Sequence, residues 1–217
     1  MADQLTTKAT AKRALRGGAA TERSVIEAAT MLFYERGYHG TSVREIAHAV
    51  GIKAASLYNH FAGKQEILYA IALGSIEELL RGGQQVLERN NSAGSRLAAF
   101  VRFHVVYHAR HRHRAKVSDD QLGALSTERL EEVLAVRDAY ESILKDIVQQ
   151  GKDEDGWKVD DVAIYAFAIA TMCTAVGVWY RDSGRLTPEQ VAQIYVHFVM
   201  SAVQADAPVP KFQTADE

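Results

Sequence analysis

The sequence predicts an all-α protein, and three observations carry that reading. Apolar residues recur at helical steps of three and four along most of the chain, as in Leu130, Val133, Leu134, Tyr140, Ile143, Leu144 and Ile147. Helix-start and helix-stop residues punctuate these runs at intervals that suit helices. No alternating strand pattern, Asn-Gly hairpin or repeat period occurs anywhere in the 217 residues.

The elements follow in order. From Thr21 to Gly37, Val25, Ala28, Ala29, Leu32 and Phe33 form one apolar stripe, and Glu35-Arg36-Gly37-Tyr38 supplies a glycine stop. Next comes TSVREIAHAVGIKAASLYNHFAGK, residues 41 to 64, read as a short helix, a tight turn and a second short helix. Ser42 can accept from the backbone three residues on while Glu45 reaches back, which is a capping box. Val43, Ile46, Ala47 and Val50 share a face, Gly51 reverses the chain, Ile52 plugs the corner, and Leu57 and Phe61 are buried by the second helix. A long helix from Lys64 to about Asn90 follows, with Gly82-Gly83 as a candidate kink. Further helices are expected over about 95 to 114, 118 to 125, 126 to 150 and 160 to 181, with GKDEDG forming a loop after Gln150. Thr187-Pro188-Glu189-Gln190 combines a cap, a proline at the first helical position and a glutamine at the third, opening a last helix over 188 to 205.

In the turn segment, Lys53, Ala54, Ala55, Tyr58, Asn59 and His60 face outward, a set of small, polar and aromatic groups that fits a nucleic-acid groove. The segment resembles the helix-turn-helix of the tetracycline-repressor (TetR) family of bacterial transcription factors. Thr41, Ser42, Val43, Ile46, Ala47, Gly51, Ile52, Ser56, Leu57, Tyr58, His60, Phe61 and Lys64 sit where that family's pattern places such residues. The likeness is specific over roughly residues 21 to 68 and architectural beyond. Two positions depart from it: Lys53 and Ala54 stand where Ser and a basic residue are usual, and Gly63 replaces a polar cap before Lys64. The first departure bears on which bases are read.

The resemblance implies a three-helix DNA-binding domain over 21–66 and a helical effector-binding and dimerisation domain over 67–205. A basic arm over 1–20 is expected to be disordered and a tail over 206–217 to be flexible. It further implies Lys53, Ala54, Ala55 and Ser56 at base edges, and Thr41, Ser42, Tyr58, Asn59, His60 and Lys64 on phosphates. The expected partners are a palindromic double-stranded operator, a second copy of the chain and a small-molecule effector, with no cofactor. Candidate effector-lining residues are Phe103, His104, Tyr107, His108, Tyr140, Met172 and Trp179, being aromatic or soft and on helices expected to face inward. The segment VWYRDSGRLTPEQV is similar to that of the family's regulators of lipid and acyl-coenzyme A degradation, which suggests an acyl-CoA or other hydrophobic or aromatic acid.

Charge agrees with this division. Residues 1 to 64 hold nine Lys or Arg against five acids, a net +4, so the remainder carries −6 of the overall −2. A basic N-terminal third suits phosphate neutralisation. The 47% apolar content suffices for a core, and the single cysteine, Cys173, excludes an internal disulfide and a cysteine-based zinc cluster. The start MADQLTTKAT has no signal-peptide core, and the chain is read as having no run of 18 uncharged apolar residues, hence as cytoplasmic and not membrane-bound.

Two further features stand out. Ala163, Phe167, Ala170, Thr174 and Val178 form a stripe, joined by Val191, Ile194, Tyr195, Phe198 and Val203 of the last helix, that is expected to pair with a second copy. In RFHVVYHARHRHRAK, His104, His108 and His111 recur at steps of four and three, a spacing open to a metal with Asp119 or Asp120 as a further ligand. The interleaved Arg102, Arg110, Arg112 and Arg114 favour an anion instead, and packing or effector lining are the other readings. No site residue is assigned to a metal. An enzyme would need a phosphate loop, a nucleophile elbow or an HExxH motif, and the sequence has none. A scaffold bundle remains the third class.

Overall fold

The computed structural model describes residues 21–204, and within them every regular element is helical. Helix α1 occupies residues 21–36 and stops at Gly37, whose φ of 74° is the left-handed conformation that glycine adopts without strain. It is followed by α2 (Val43–Ala49), α3 (Ala54–Tyr58), α4 (Lys64–Arg89), α5 (Ala93–Arg110) and α6 (Arg112–Asp120). After a 3-10 turn at Leu122–Ala124 come α7 (Thr127–Glu154), α8 (Val162–Thr174), α9 (Val176–Trp179) and α10 (Pro188–Gln204). The expected arm and tail lie outside the described residues.

Helices α1 to α3 build a small head around Val25, Ala29, Phe33, Ile46 and Leu57, each at most 1% exposed. The larger body packs α5 between α4, α7, α8 and α10, with Leu97, Phe100, Val101, Leu144 and Ile147 at its centre. Helix α4 joins the two. It runs unbroken through Gly82-Gly83, where the kink is expected, and the two glycines admit close neighbours. A Cβ on Gly82 would lie 2.0 Å from the Phe103 ring, and one on Gly83 would lie 3.0 Å from Ile143, so the pair lets α5 and α7 approach α4 closely.

Other boundaries differ from expectation for identifiable reasons. The helix expected over 95 to 114 breaks at His111, whose ψ of 28° turns the chain so that α6 can lie against both α4 and α9. Helix α7 continues past Gly151, where the Trp157 indole covers the glycine at 2.1 Å from the Cβ position, and ends only before Gly156 with φ 66°. Asp161 caps α8 through Ile164 N at 3.0 Å. The last helix starts as expected, with Thr187 and Gln190 bonding each other reciprocally at 2.9 and 3.3 Å.

The membrane reading needs one correction. Val162–Trp179 is an uncharged stretch of 18 residues with mean hydropathy 1.9, of which 22% is buried. The backbone divides it at Ala175 into α8 and α9, and apolar residues of both, like some of α10, are left exposed on the body. Ile164, Phe167, Val178, Ile194 and Phe198 are 55 to 70% exposed there. Val191 and Val203, expected on the pairing face, are instead 3% and 0% exposed because α10 turns them toward α5.

Candidate functional site

The head presents one continuous outward surface. Ser42 accepts from Glu45 N at 3.2 Å while Glu45 accepts from Ser42 N at 2.8 Å, so the first turn of α2 is locked from both sides. The Ser42 hydroxyl also donates to Glu45, which holds that carboxyl below its usual range. Gly51, with φ 71°, turns the chain, and Lys53 caps α3 through its backbone while its side chain extends into solvent. Ala55, Ser56, Tyr58 and Asn59 are exposed on α3 or just beyond it, and Tyr58 is 55% exposed. Ala54 is half-buried against the head core. His60 is half-buried beside Glu22, with Nδ1 3.3 Å from the carboxylate.

Two of the residues expected on phosphates are placed differently. Thr41 is 2% exposed, and its hydroxyl is directed at the carbonyls of Leu32 and Gly37, 3.3 and 3.0 Å away. Its side chain therefore braces the α1–α2 turn. Lys64 Nζ donates to the carbonyls of Tyr38 at 2.6 Å and Thr41 at 2.8 Å and sits 4.2 Å from the Tyr38 ring centroid. Desolvation lowers its pKa. The ammonium clasps the same turn, with one of its three protons left over.

The body contains a cavity of about 640 Å³ between α5, α7 and α8, with Ile76 and Leu79 of α4 contributing to its wall. Its size falls in the range of small-molecule sites, roughly 300 to 1,000 Å³. Phe100, His104 and Tyr140 form a stacked aromatic wall, with ring centroids 5.3 to 5.9 Å apart. His104 is hydrogen-bonded through both nitrogens, Nδ1 to the Tyr140 hydroxyl at 2.7 Å and Nε2 to the Thr174 hydroxyl at 2.9 Å. Burial holds the His104 pKa well below its usual value and pushes the Tyr140 phenol well above its own, so both stay neutral. His108 stacks on His104 at 4.4 Å, and its pKa is lowered to about 4, first by burial and then by His111.

Of the seven candidate lining residues, His104, His108 and Tyr140 meet at this wall. The other four do not line it. Phe103 covers Gly82, and Tyr107 bonds Ser75 at 3.1 Å and Glu78 at 3.2 Å on α4. Met172 packs half-buried against the core, and Trp179 is 50% exposed on the outer face. His111 stacks on Tyr107 at 4.6 Å instead of joining the other two imidazoles. Among the described residues no group of three or more His, Cys, Asp or Glu is arranged to hold a metal ion.

The sequence reading overlooked the charged edge of the cavity. Arg137, Glu141 and Lys145 line it from α7, and Arg137 pairs with Asp119 of α6 at 2.8 Å. Their spacing of four beside Tyr140 and Leu144 was the available signal, since one helix strip is apolar and its neighbour charged. Ala163, Phe167, Ala170, Thr174 and Val178, read from sequence only as a pairing stripe, also line the cavity. Phe167 and Val178 are 70% and 68% exposed, so the cavity wall and the outer apolar face share residues.

Known proteins match both regions. Residues 25–71 match the family of bacterial regulatory proteins, tetR family, and residues 90–203 match the tetracyclin repressor-like C-terminal domain. The chain is 30% identical over 184 residues to the HTH-type transcriptional repressor KstR2 of Mycobacterium tuberculosis (strain ATCC 25618 / H37Rv), covering 82% of this chain and 90% of that protein. A tetR-family regulatory protein from Rhodococcus RHA1 is similar in structure with TM-score 0.79 and 26% identity, over 85% of this chain and 98% of that one. AibR in complex with isovaleryl coenzyme A and operator DNA gives TM-score 0.74 and 26% identity, over 82% and 96% of the two chains. The head's capped turn motif, the helical body behind it and these matches together show that the chain belongs to the TetR family of bacterial transcriptional regulators.

Proposed function

We propose that the chain is a ligand-responsive repressor that binds a palindromic operator as a homodimer in the bacterial cytoplasm and is released by a small molecule held in the α5–α7–α8 cavity. The observation that carries this reading is the continuity of α4, which begins in the head at Lys64 and supplies Ile76 and Leu79 to the cavity wall. A ligand that favours one placement of α4 over another alters operator affinity by that difference, and about 1 to 3 kcal/mol of coupling corresponds to roughly 5- to 150-fold.

In this reading residues 21–66 are the DNA-binding unit and 67–205 the effector and pairing unit. Lys53, Ala55 and Ser56 meet base edges, with Ala54 close behind. Ser42, Tyr58, Asn59 and His60 meet phosphates, while Thr41 and Lys64 shape the turn between them and Lys64 offers its remaining proton. The exposed apolar face of α8 and α10 pairs with a second copy, which places two heads on a twofold axis. Because Phe167 and Val178 belong to both that face and the cavity wall, pairing also covers part of the cavity. AibR, solved with isovaleryl coenzyme A and operator DNA, supports an acyl-CoA or related hydrophobic acid as the effector class here.

A footprint on the DNA flanking the chain's own gene, repeated with short-chain acyl-CoAs and aromatic acids, tests the reading. A protected palindrome that one of these compounds releases is expected. No protection on that DNA by the full-length protein argues against it, and a monomer in light scattering at micromolar concentration argues against the pairing.

A further inference from the structure

Four side chains among the described residues carry an enclosed polar atom with no hydrogen-bond partner, and His108 is the one of them that lines the cavity. It is 5% exposed, and its Nδ1 is the unmatched atom. A half-turn of the ring exchanges nitrogen for carbon on each edge, so either edge of this ring can present the unmatched nitrogen. Buried polar groups in folded proteins almost always have partners, and an orphan at a cavity wall marks where a partner arrives.

The surroundings define that partner. The adjacent imidazole, His104, is already matched by Tyr140 and Thr174 and competes for nothing. The charged members of the cavity wall, Asp119, Arg137, Glu141 and Lys145, all come from the end of α6 and one strip of α7, whereas His108 comes from α5. We propose that His108 anchors the effector by hydrogen-bonding an uncharged oxygen, a hydroxyl or carbonyl, on an otherwise apolar skeleton whose anionic group rests at the Arg137 and Lys145 edge. The proposal rests on the cavity being the effector site. An imidazole can donate from one nitrogen or accept at the other, so either oxygen type is served. A second carboxylate at the same place would meet only the uncharged residues that α5 gives the wall, Phe100, His104 and His108, and no charge partner from that helix. The lowered His108 pKa is consistent, because the ring stays neutral and cannot supply that charge itself.

Titration calorimetry on the full-length protein with dodecanoate, ω-hydroxydodecanoate and dodecanedioate, together with shorter and longer homologues of each, tests the anchor. The ω-hydroxy acid is expected to bind about tenfold more tightly than its parent, because a buried polar group gains its missing partner, and the dicarboxylate more weakly than both. His108→Leu should abolish or reverse the first preference, while His108→Gln, which keeps a donor and an acceptor, should retain part of it and controls for folding. A wild-type preference for the plain acid or the dicarboxylate, a hydroxyl preference that survives His108→Leu, or no binding by any homologue at millimolar concentration overturns the proposal. Operator binding by the same preparations without ligand is read separately, so a regulator that grips DNA yet ignores the hydroxyl refutes the anchor and leaves the repressor reading standing.

Discussion

The head and the cavity are built in opposite ways. The turns and caps of the head are set within a few residues, Ser42 with Glu45 and Gly37 and Gly51 at their turns, while Lys64 closes it from 26 and 23 residues away. The cavity joins groups far apart in the chain, since His104 meets Tyr140 across 36 residues and Thr174 across 70. Local encoding yields a fixed outward surface that sequence motifs report directly. Nonlocal encoding yields a chamber whose chemistry depends on how helices α4 to α9 meet.

The sharpest way to break this contrast is to damage one region and follow the other. Phe100→Ala removes a ring that is 2% exposed, and the loss is expected to cost about 3 to 5 kcal/mol in urea denaturation. If the head is as self-contained as its contacts indicate, Ser42-dependent structure there should persist in hydrogen exchange under conditions where the body's amides have lost protection.

The next effect is a pH dependence whose most buried contributors are the two cavity histidines. His104 and His108 both have folded pKa values below the ordinary histidine value, so the unfolded chain binds more protons as pH falls. Stability is therefore full above about pH 6.5 and is lost progressively toward pH 4, by about 3 kcal/mol for His108 over that window. Denaturation midpoints measured across it should fall more steeply for the wild type than for His108→Leu. Equal slopes would mean that the ring is not held neutral by the fold.

Smaller effects belong to the head. Ser42→Ala removes an N-cap and should destabilise α2 by about 1 kcal/mol, seen as a lowered melting temperature with ligand affinity unchanged. Smallest of all, Lys53→Ala should leave stability untouched because its side chain is exposed, while altering sequence preference in a binding-site selection. Tyr58→Phe should weaken all operators alike by roughly the value of one hydrogen bond, about 0.5 to 1.5 kcal/mol.

How much was legible in advance follows the same division. The capping box, the glycine turns and the outward strip of α3 are legible because they depend on neighbours in the chain. The packing of Thr41 and Lys64 is not legible, because an exposed polar turn and a clasped one have the same letters; only the Tyr38 and Thr41 carbonyls reveal the clasp. In the body, the break at His111 lacks any glycine or proline to announce it and arises from packing of α6 on α4 and α9. The close approach of Phe103 to Gly82 is a tertiary fact that local sequence does not carry. The helices' existence, set by apolar periodicity, is readable throughout.

Helix α4 has a mechanical consequence that its contacts alone do not express. Gln65 bonds the Ala124 carbonyl at 3.1 Å and Glu66 pairs with Arg129, so the end of α4 nearest the head is also tied to the start of α7. From Leu79 to Lys64 the helix axis runs about 22 Å, and a tilt of about 10° pivoting at the cavity carries Lys64 by about 4 Å. In a twofold pair the two displacements oppose each other and change the spacing of the heads by up to about 8 Å, close to a quarter of the roughly 34 Å that separates successive major-groove faces. On the proposed reading, a gain of this kind would make the paired molecule a geometric amplifier, in which a sub-cavity adjustment is read out as a phase error against the pitch of DNA.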